Sequence, residues 1–308
     1  MTLESGIPNF FVSLPTNTSN MRGHIFFITH ILAAILLIGC NNANKTTDTE
    51  IIVSIEPLKY VVGRIVGNDF TIGVLVPTNS SPETYEPTPR QRIAINNAKM
   101  VFTTGLITFE QRVVEKVAQA EQISNLSNGI ELIAGECSHC NHGHTHGVDP
   151  HIWTSPDELR IMARNAYNTI MQHYPDSAKY TAAYQLLDAE LKQLSAWCRD
   201  KIECSATQAF VIYHPALTYY ARSYNIEQIA IENEGKEPSA KRMAEIIELS
   251  HKKGVECLLY QVEFPRSMVE VIAQDMNIEP IEINPLDENP IEFIKDVTLV
   301  ITGNSNDR

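Results

Sequence analysis

Residues 137–146, with the sequence CSHCNHGHTH, concentrate four imidazoles and two thiols in ten positions. These are ligand types that suit zinc or copper, and they are carried by Cys137, His139, Cys140, His142, His144 and His146. Spacing by two lets alternate side chains converge in an extended chain, and Gly143 and Gly147 keep the segment pliable. A pliable segment lacks the supported frame of a structural zinc site. The sequence therefore predicts a loop that collects metal weakly and exchanges it quickly.

The pair Cys137 and Cys140 also has the spacing of a redox-active CxxC motif. In thioredoxin-like proteins that motif lies near a βαβ unit, whereas here it lies among histidines in a loop. Metal binding is therefore favoured over redox chemistry. Of the remaining cysteines, Cys198 and Cys204 either form a local disulfide outside the cytoplasm or remain thiols, and Cys257 is predicted to be buried.

Two further histidines and three carboxylates lie where predicted strands end. His151 precedes a helix in the segment DPHIW, and His214 follows a predicted strand at residues 209–213. The carboxylates each lie in a predicted strand-to-helix loop: Glu83, Glu234 and Asp287. Ligands gather at the carboxyl ends of strands in open α/β sheets. Two imidazoles with one or two carboxylates would suit zinc and would also accept manganese.

The elements that must position these residues form two α/β sets, because β-rich runs alternate with amphipathic segments from residue 51 onward. The first set has predicted strands at 51–55, 71–76 and 100–104 and helices at 58–66 and 89–98. The second has strands at 209–213, 226–231, 255–260 and 278–283 and helices near 215–224, 239–252 and 267–276. The helical stretch 157–202 between them is predicted to break at Tyr174-Pro175, because the residue before proline disfavours the helical conformation.

The predicted fold is therefore α/β, with two lobes that each contain a mostly parallel sheet flanked by helices, joined by one long rigid helix. The N-terminal lobe covers residues 51–174, the connecting helix 175–203 and the C-terminal lobe 204–308. One apolar stripe marks the connecting helix, formed by Tyr180, Tyr184, Leu187, Leu191 and Leu194. The alternative is an ordinary core helix inside one lobe.

The N-terminal region has the features of a lipoprotein precursor. An apolar run at residues 25–38, too short for a typical spanning helix, leads into Leu-Ile-Gly-Cys ending at Cys40. This matches the bacterial lipobox, in which cleavage before the cysteine leaves a thiol that takes a lipid. Residues 1–40 are thus predicted to be an upstream extension and signal peptide, and residues 41–50 a flexible tether. An uncleaved membrane anchor is the alternative, and it would also place the remainder outside the cytoplasm.

Composition limits the class of partner. With 308 residues, of which 44% are hydrophobic, the chain can bury a substantial core. Its formal net charge of -13 argues against nucleic acid, whose binding depends on basic surface. The chain contains no HExxH run, no GxSxG elbow and no phosphate loop, so a metallohydrolase with Glu83 or Glu234 as general base is disfavoured.

Five segments resemble, in the same order, motifs of the zinc and manganese solute-binding lipoproteins of ABC importers, the cluster A-I family. They are SPETYEPTP at 81–89, DPHIW at 149–153, YHPA at 213–216, GKEPS at 235–239 and INPL at 283–286. The resemblance covers residues 51–302 and implies two α/β lobes joined by a rigid long helix, with the ion in the cleft between them. The His-rich loop resembles that of zinc-specific members. His214 stands where zinc members typically have histidine and manganese members often have glutamate.

Two positions depart from the family pattern. Glu83 stands where the family usually has a histidine, and Asn284 where it usually has an aspartate. A carboxylate can still bind zinc at the first position, and Asp287 is the substitute available near the second. The predicted cleft site is therefore Glu83, His151, His214 and Asp287, and its carboxylate content keeps manganese and iron as alternatives to zinc.

Together these features predict a monomeric, extracytoplasmic protein, tethered to the membrane by a lipid, that captures zinc and delivers it to the permease of an ABC importer. It would not be an enzyme. Because histidine must be neutral to bind a metal, affinity is expected to fall below about pH 6. A zinc-binding adhesin or a metal store is the alternative function.

Overall fold

The computed structural model describes residues 49–78, 80–134, 147–232 and 238–304. The lipidation residue Cys40, the signal peptide, most of the tether, the six ligands of the His-rich loop and Glu234 lie outside the described residues. Within the described ranges, no helix combines the length and the apolar character needed to cross a membrane.

The first lobe is built on a four-stranded parallel sheet in the order β2-β1-β3-β4. Its strands are β1 (Ile51–Val53), β2 (Ile72–Val74), β3 (Met100–Thr103) and β4 (Ile123–Asn125). The helices are α1 (Glu56–Val66) and α2 (Pro89–Asn97), and a π-helical turn (Glu110–Val114) continues into α3 (Glu115–Val117). Strands β1 and β3 are buried along their length and, apart from Thr103, apolar, as expected in a parallel sheet covered on both faces. The sequence did not reveal β4, whose three residues include two polar ones.

Two helices follow this sheet, α4 (Pro156–His173) and α5 (Ala178–Glu203). They are separated at Tyr174-Pro175, where the sequence predicts a break. Four residues of the predicted apolar stripe on α5 are buried, and the fifth, Tyr184, is half-buried and stacks on Tyr167 of α4 with ring centroids 4.4 Å apart. The stripe therefore faces the core.

The second lobe repeats the topology of the first, with the strand order β6-β5-β7-β8. Its strands are β5 (Ala209–Ile212), β6 (Glu227–Ala230), β7 (Leu258–Gln261) and β8 (Pro280–Ile283). Its helices are α6 (Thr218–Tyr224), α7 (Ala240–Lys253), α8 (Ser267–Met276) and α9 (Pro290–Ile301). Helix α9 was not predicted from the sequence, although it is amphipathic, with nine of its twelve residues buried and Glu292 and Asp296 exposed.

Helix α5 packs against α1 of the first lobe, against α4, and against α9 of the second lobe. One continuous hydrophobic core joins the lobes through these helices, and it includes Val53 of the first sheet and Phe210 and Leu259 of the second. A separate core fills the opposite face of the second sheet. Contact with both lobes supports the connector interpretation of α5.

None of the three cysteines within the described ranges, Cys198, Cys204 and Cys257, forms a disulfide. Cys198 is buried and receives a hydrogen bond from the Thr298 hydroxyl at 3.3 Å, whereas Cys204 is exposed at the end of α5. Six residues apart on one helix, the two side chains point in different directions, so the structure does not contain the local disulfide considered above. Cys257 is buried as predicted.

Candidate metal centre

Three of the four predicted cleft ligands meet at one point between the lobes. Glu83, His151 and His214 each offer one ligand atom, and these three atoms lie within 4.8 Å of one another. The Glu83 Oε1 atom is 3.4 Å from Nε2 of His214 and 4.0 Å from Nε2 of His151. The histidine side chains are only 7% and 13% exposed, while Glu83 is 45% exposed. The group is therefore built on two buried imidazoles and opens to solvent on the Glu83 side.

The loop that carries Glu83 is held by its neighbours in sequence. The Tyr85 hydroxyl donates to Oε1 of Gln91 at 2.7 Å, and the Gln91 amide donates to the carbonyl of Leu75 at the end of the second strand region. The Tyr85 ring also packs edge-on against Phe109, with centroids 5.5 Å apart. A capping box at Thr88 begins α2 immediately after the loop. The loop is thus held at Leu75 on one side of Glu83 and at Tyr85 and Thr88 on the other, while the Glu83 side chain faces the cleft.

His151 is oriented by a carboxylate two residues before it. Oδ1 of Asp149 lies 2.9 Å from Nδ1 of His151 and accepts the backbone N–H of the same residue at 2.8 Å. Burial raises the pKa of Asp149, but the charge and hydrogen bonds of His151 outweigh it and lower that pKa. An ionised carboxylate accepts a hydrogen bond from the Nδ1–H group, and with the proton held on Nδ1 the neutral imidazole has a lone pair on Nε2 for a metal.

Contacts across the cleft hold the His151 segment against the second lobe. The Trp153 indole donates to the carbonyl of Pro285 at 2.8 Å, and the Thr154 hydroxyl donates to the carbonyl of Ala216 at 3.0 Å. The Tyr219 hydroxyl donates to the carbonyl of Asp149 at 2.8 Å. All three bonds are buried, so the separation of the two histidines is set by packing as well as by the chain.

His214 has the same arrangement in the second lobe. Its Nδ1 lies 3.0 Å from Oε2 of Glu232, a buried residue that follows β6. The side chain of Gln261, at the end of β7, binds both backbone polar groups of His214. It accepts a hydrogen bond from the N–H at 3.2 Å and donates one to the carbonyl at 2.5 Å. Asp149, Glu232 and Gln261 were not identified as supporting residues from the sequence. The only available signal was the position of Glu232 and Gln261 at strand ends.

Electrostatics favour a cation at this point. Burial lowers the pKa of His214, but its hydrogen bonds to Glu232 and Glu83 outweigh burial and raise the pKa to about 10. Burial raises the pKa of Glu83, and the hydrogen bond and charge of His214, with the charge of His151, reverse the effect and lower it. Without a metal, the site therefore retains a proton on His214, and a divalent ion would replace that proton.

Asp287, the fourth predicted ligand, does not join the group. Its Oδ1 accepts the backbone N–H of Asn289 at 2.8 Å, in the turn that leads into α9. Asn284 is similarly engaged, because its Oδ1 accepts the N–H of Leu286 at 3.1 Å. Short polar side chains readily close turns on their own backbone in this way. The described residues thus gather three predicted ligands and leave Asp287 in a structural role.

The base of the His-rich loop lies beside the site, although the loop itself falls outside the described residues. Ala134 and Val148 form an antiparallel bridge, and the Asp149 N–H donates to the carbonyl of Ile133 at 2.9 Å. The Tyr219 hydroxyl accepts the Ile133 N–H at 3.2 Å. Both ends of the loop are thereby connected to the residue that orients His151.

The Asp149 carboxylate can be tested through metal affinity. We expect Asp149→Asn to weaken zinc binding about 10- to 100-fold, because a neutral acceptor orients and polarises His151 less strongly. The measurement is a zinc titration of a full-length chain whose six loop ligands are replaced by serine, called the loop variant below. Glu131→Gln, which removes an exposed carboxylate from the same lobe, is the matched control. Equal affinities for the two substitutions would contradict a role for Asp149.

Comparison with known proteins relates the chain to zinc-uptake proteins. A family model described as ZnuA, zinc-uptake complex component A, periplasmic, matches residues 51–296. The chain is 23% identical over 273 residues to the zinc-binding lipoprotein AdcA of Streptococcus pneumoniae, an alignment that covers 83% of this chain and 54% of AdcA. It is 24% identical over 277 residues to the high-affinity zinc uptake system protein ZnuA of Bacillus subtilis, covering 83% of this chain and 87% of that protein. The chain thus spans about half the length of the AdcA proteins and most of the length of ZnuA.

Solved structures share the fold. A crystal structure of ZnuA superposes with a TM-score of 0.75 at 29% identity, covering 82% of this chain and 97% of that one. The periplasmic zinc binding protein TroA from Treponema pallidum gives a TM-score of 0.71 at 18% identity, covering 83% and 98%. These likenesses and the two parallel sheets confirm the predicted two-lobed α/β fold.

Proposed function

Because the chain belongs to the ZnuA family of periplasmic zinc-uptake components, we propose that it captures zinc between its lobes and delivers the ion to an ABC importer. This membership agrees with the resemblance to cluster A-I proteins seen in the sequence. The proposed cargo is Zn²⁺, with Mn²⁺ or Fe²⁺ as less favoured cargoes. The named relatives AdcA and ZnuA, both described as zinc proteins, support this assignment.

The observation that carries the proposal is the convergence of Nε2 of His151, Nε2 of His214 and Oε1 of Glu83. Nitrogen and carboxylate oxygen donors in a compact group are the ligands that zinc accepts in tetrahedral sites. Each imidazole is also backed by a carboxylate at Nδ1, which is the support that metal-binding histidines usually have. Three donors from two lobes would hold an ion firmly, and the solvent-facing carboxylate would provide a route for entry and departure.

In this role the protein binds and releases an ion and performs no reaction on it. The six-ligand loop would collect zinc, and the cleft would hold it until the lobes dock on the permease. Proton uptake by His214 would then favour departure of the ion. A lipid on Cys40 and the tether that follows would keep a monomeric chain at the outer side of a membrane, in the periplasm or at the cell surface.

Metal binding and zinc uptake together test the proposal. Calorimetry with elemental analysis should show one tightly bound zinc per chain in both the full chain and the loop variant, with manganese binding more weakly. Cells that express the chain with its importer should accumulate zinc, and deletion of the permease should abolish the effect. Tight binding that disappears in the loop variant would move the site to the loop. Accumulation that persists without the permease would favour storage over delivery.

A further inference from the structure

Glu263 lies at the carboxyl end of β7, close to the metal centre but outside the group described above. Two residues earlier in the chain, Gln261 binds both backbone polar groups of His214. One residue later, the Phe264 ring packs near the His214 imidazole, with centroids 6.0 Å apart. Glu263 is therefore placed between two residues that contact a predicted ligand. It was not singled out from the sequence.

The register of the second sheet places Glu263 near Asn284, the position where the related family usually has an aspartate. Gln261 pairs with Ile283 at the ends of β7 and β8, and the Val262 N–H donates to the carbonyl of Ile283 at 3.0 Å. Glu263 and Asn284 thus both follow the paired ends of adjacent parallel strands. Such ends meet at one edge of a sheet. The Asn284 side chain is bound to its own turn and supplies no carboxylate. Glu263, at the neighbouring strand end, can supply one at the same edge of the sheet.

Glu263 is a partly buried acid close to the predicted ligands. Burial raises its pKa and outweighs its own backbone N–H and the charges of His214 and His151, which act to lower it, while the charge of Glu83 adds to the increase. Its carboxylate therefore lies within electrostatic reach of all three members of the group. Among the residues that the structure describes, no side-chain hydrogen bond or ion pair engages it. A partly buried carboxylate in this state gains from an incoming cation.

We propose that the Glu263 carboxylate completes the coordination of the captured ion as the fourth protein ligand, beside Glu83, His151 and His214. This inference rests on the proposed function, because it concerns the same ion. Three donors leave one tetrahedral position open, and a side chain with three rotatable bonds, two residues beyond β7, can turn into it when the ion arrives. The carboxylate that the family usually supplies from the end of β8 would here come from the end of β7.

The test compares Glu263→Gln with Glu256→Gln, both in the loop variant. Glu256 is an exposed acid two residues before β7, so its substitution removes the same charge at the opposite end of the same strand. Zinc affinity is measured by competition with a chromogenic chelator, and Co²⁺ serves as a spectroscopic probe of ligand number. We expect Glu263→Gln to weaken zinc binding by more than about tenfold and to change the visible Co²⁺ spectrum, and Glu256→Gln to leave both close to the parent values.

Two results would overturn the assignment. One is a zinc affinity for Glu263→Gln equal to that of Glu256→Gln. The other is a weaker affinity with an unchanged Co²⁺ spectrum, which would mean that Glu263 acts through its charge alone and that water occupies the fourth position. The proposed function fails separately, if the loop variant with native Glu263 does not bind zinc tightly.

Discussion

Combined substitution of His151→Ala and His214→Ala in the loop variant is expected to lower zinc affinity by more than about 1000-fold. Loss of a residue that merely supports a ligand typically costs 10- to 100-fold in metal affinity, and this variant removes two residues that we propose to be direct ligands. Only carboxylates would then remain at the site, and without the imidazoles they hold zinc weakly. Calorimetry at neutral pH, extended by chelator competition for the parent, measures the difference.

The matched control for this pair is His173→Ala with His251→Ala. Both histidines are exposed and lie on helices away from the cleft, at the ends of α4 and α7. The control removes the same number of imidazoles, so its affinity should equal that of the loop variant. If the loop variant that carries His151→Ala and His214→Ala also retained tight binding, zinc would have to be held elsewhere and the proposed function would be wrong. When the same two substitutions are made in the chain with its native His-rich loop, weak residual binding would be assigned to the loop.

The pH dependence of zinc binding should be steep at neutral pH. With the pKa of His214 raised to about 10, the metal-free site carries an imidazolium throughout the neutral range, and that proton must leave before Nε2 can bind. Each unit by which the pH falls makes proton loss about tenfold less favourable, so affinity should drop about 100-fold from pH 8 to pH 6. The sequence-based expectation, with an ordinary histidine, places the decline only below about pH 6. The structure therefore predicts that zinc affinity begins to fall at a higher pH than the sequence suggests.

Two measurements check this prediction. Chelator competition at constant ionic strength gives the slope, and calorimetry in buffers of different ionisation enthalpy should show release of about one proton per zinc at pH 7. Glu232→Gln removes the acceptor at Nδ1, so it should bring the His214 pKa toward its ordinary value and flatten the curve above pH 7. An affinity that changes less than about threefold between pH 8 and pH 6 would contradict the assignment of the proton to His214.

Local sequence made His151, His214 and Glu83 candidates together with Glu234 and Asp287, and the family resemblance selected the cleft set from them. His151, His214 and Glu83 were each recognisable because they follow or precede predicted elements at the end of a sheet where ligands gather. Apolar periodicity and the proline after Tyr174 likewise placed most helices and strands, because those signals depend on neighbours along the chain. The topology of two parallel sheets follows from the same alternation of elements, and the structure confirms it.

The sequence could not show which polar side chains are available to bind a metal and which are engaged in hydrogen bonds to the backbone. Asp287 and Glu263 both follow strands of the second sheet, and both are acids that chain position alone would allow as ligands. Only the folded turn shows that Asp287 accepts the N–H of Asn289, and only the pairing of β7 with β8 brings Glu263 to the edge that faces His214. The proton on His214 is decided in the same way, because Glu232 approaches it from a strand 18 residues later in the chain. Ligand types are a property of the residues, whereas their hydrogen-bond partners and charge states depend on contacts between distant segments, which exist only in the folded protein.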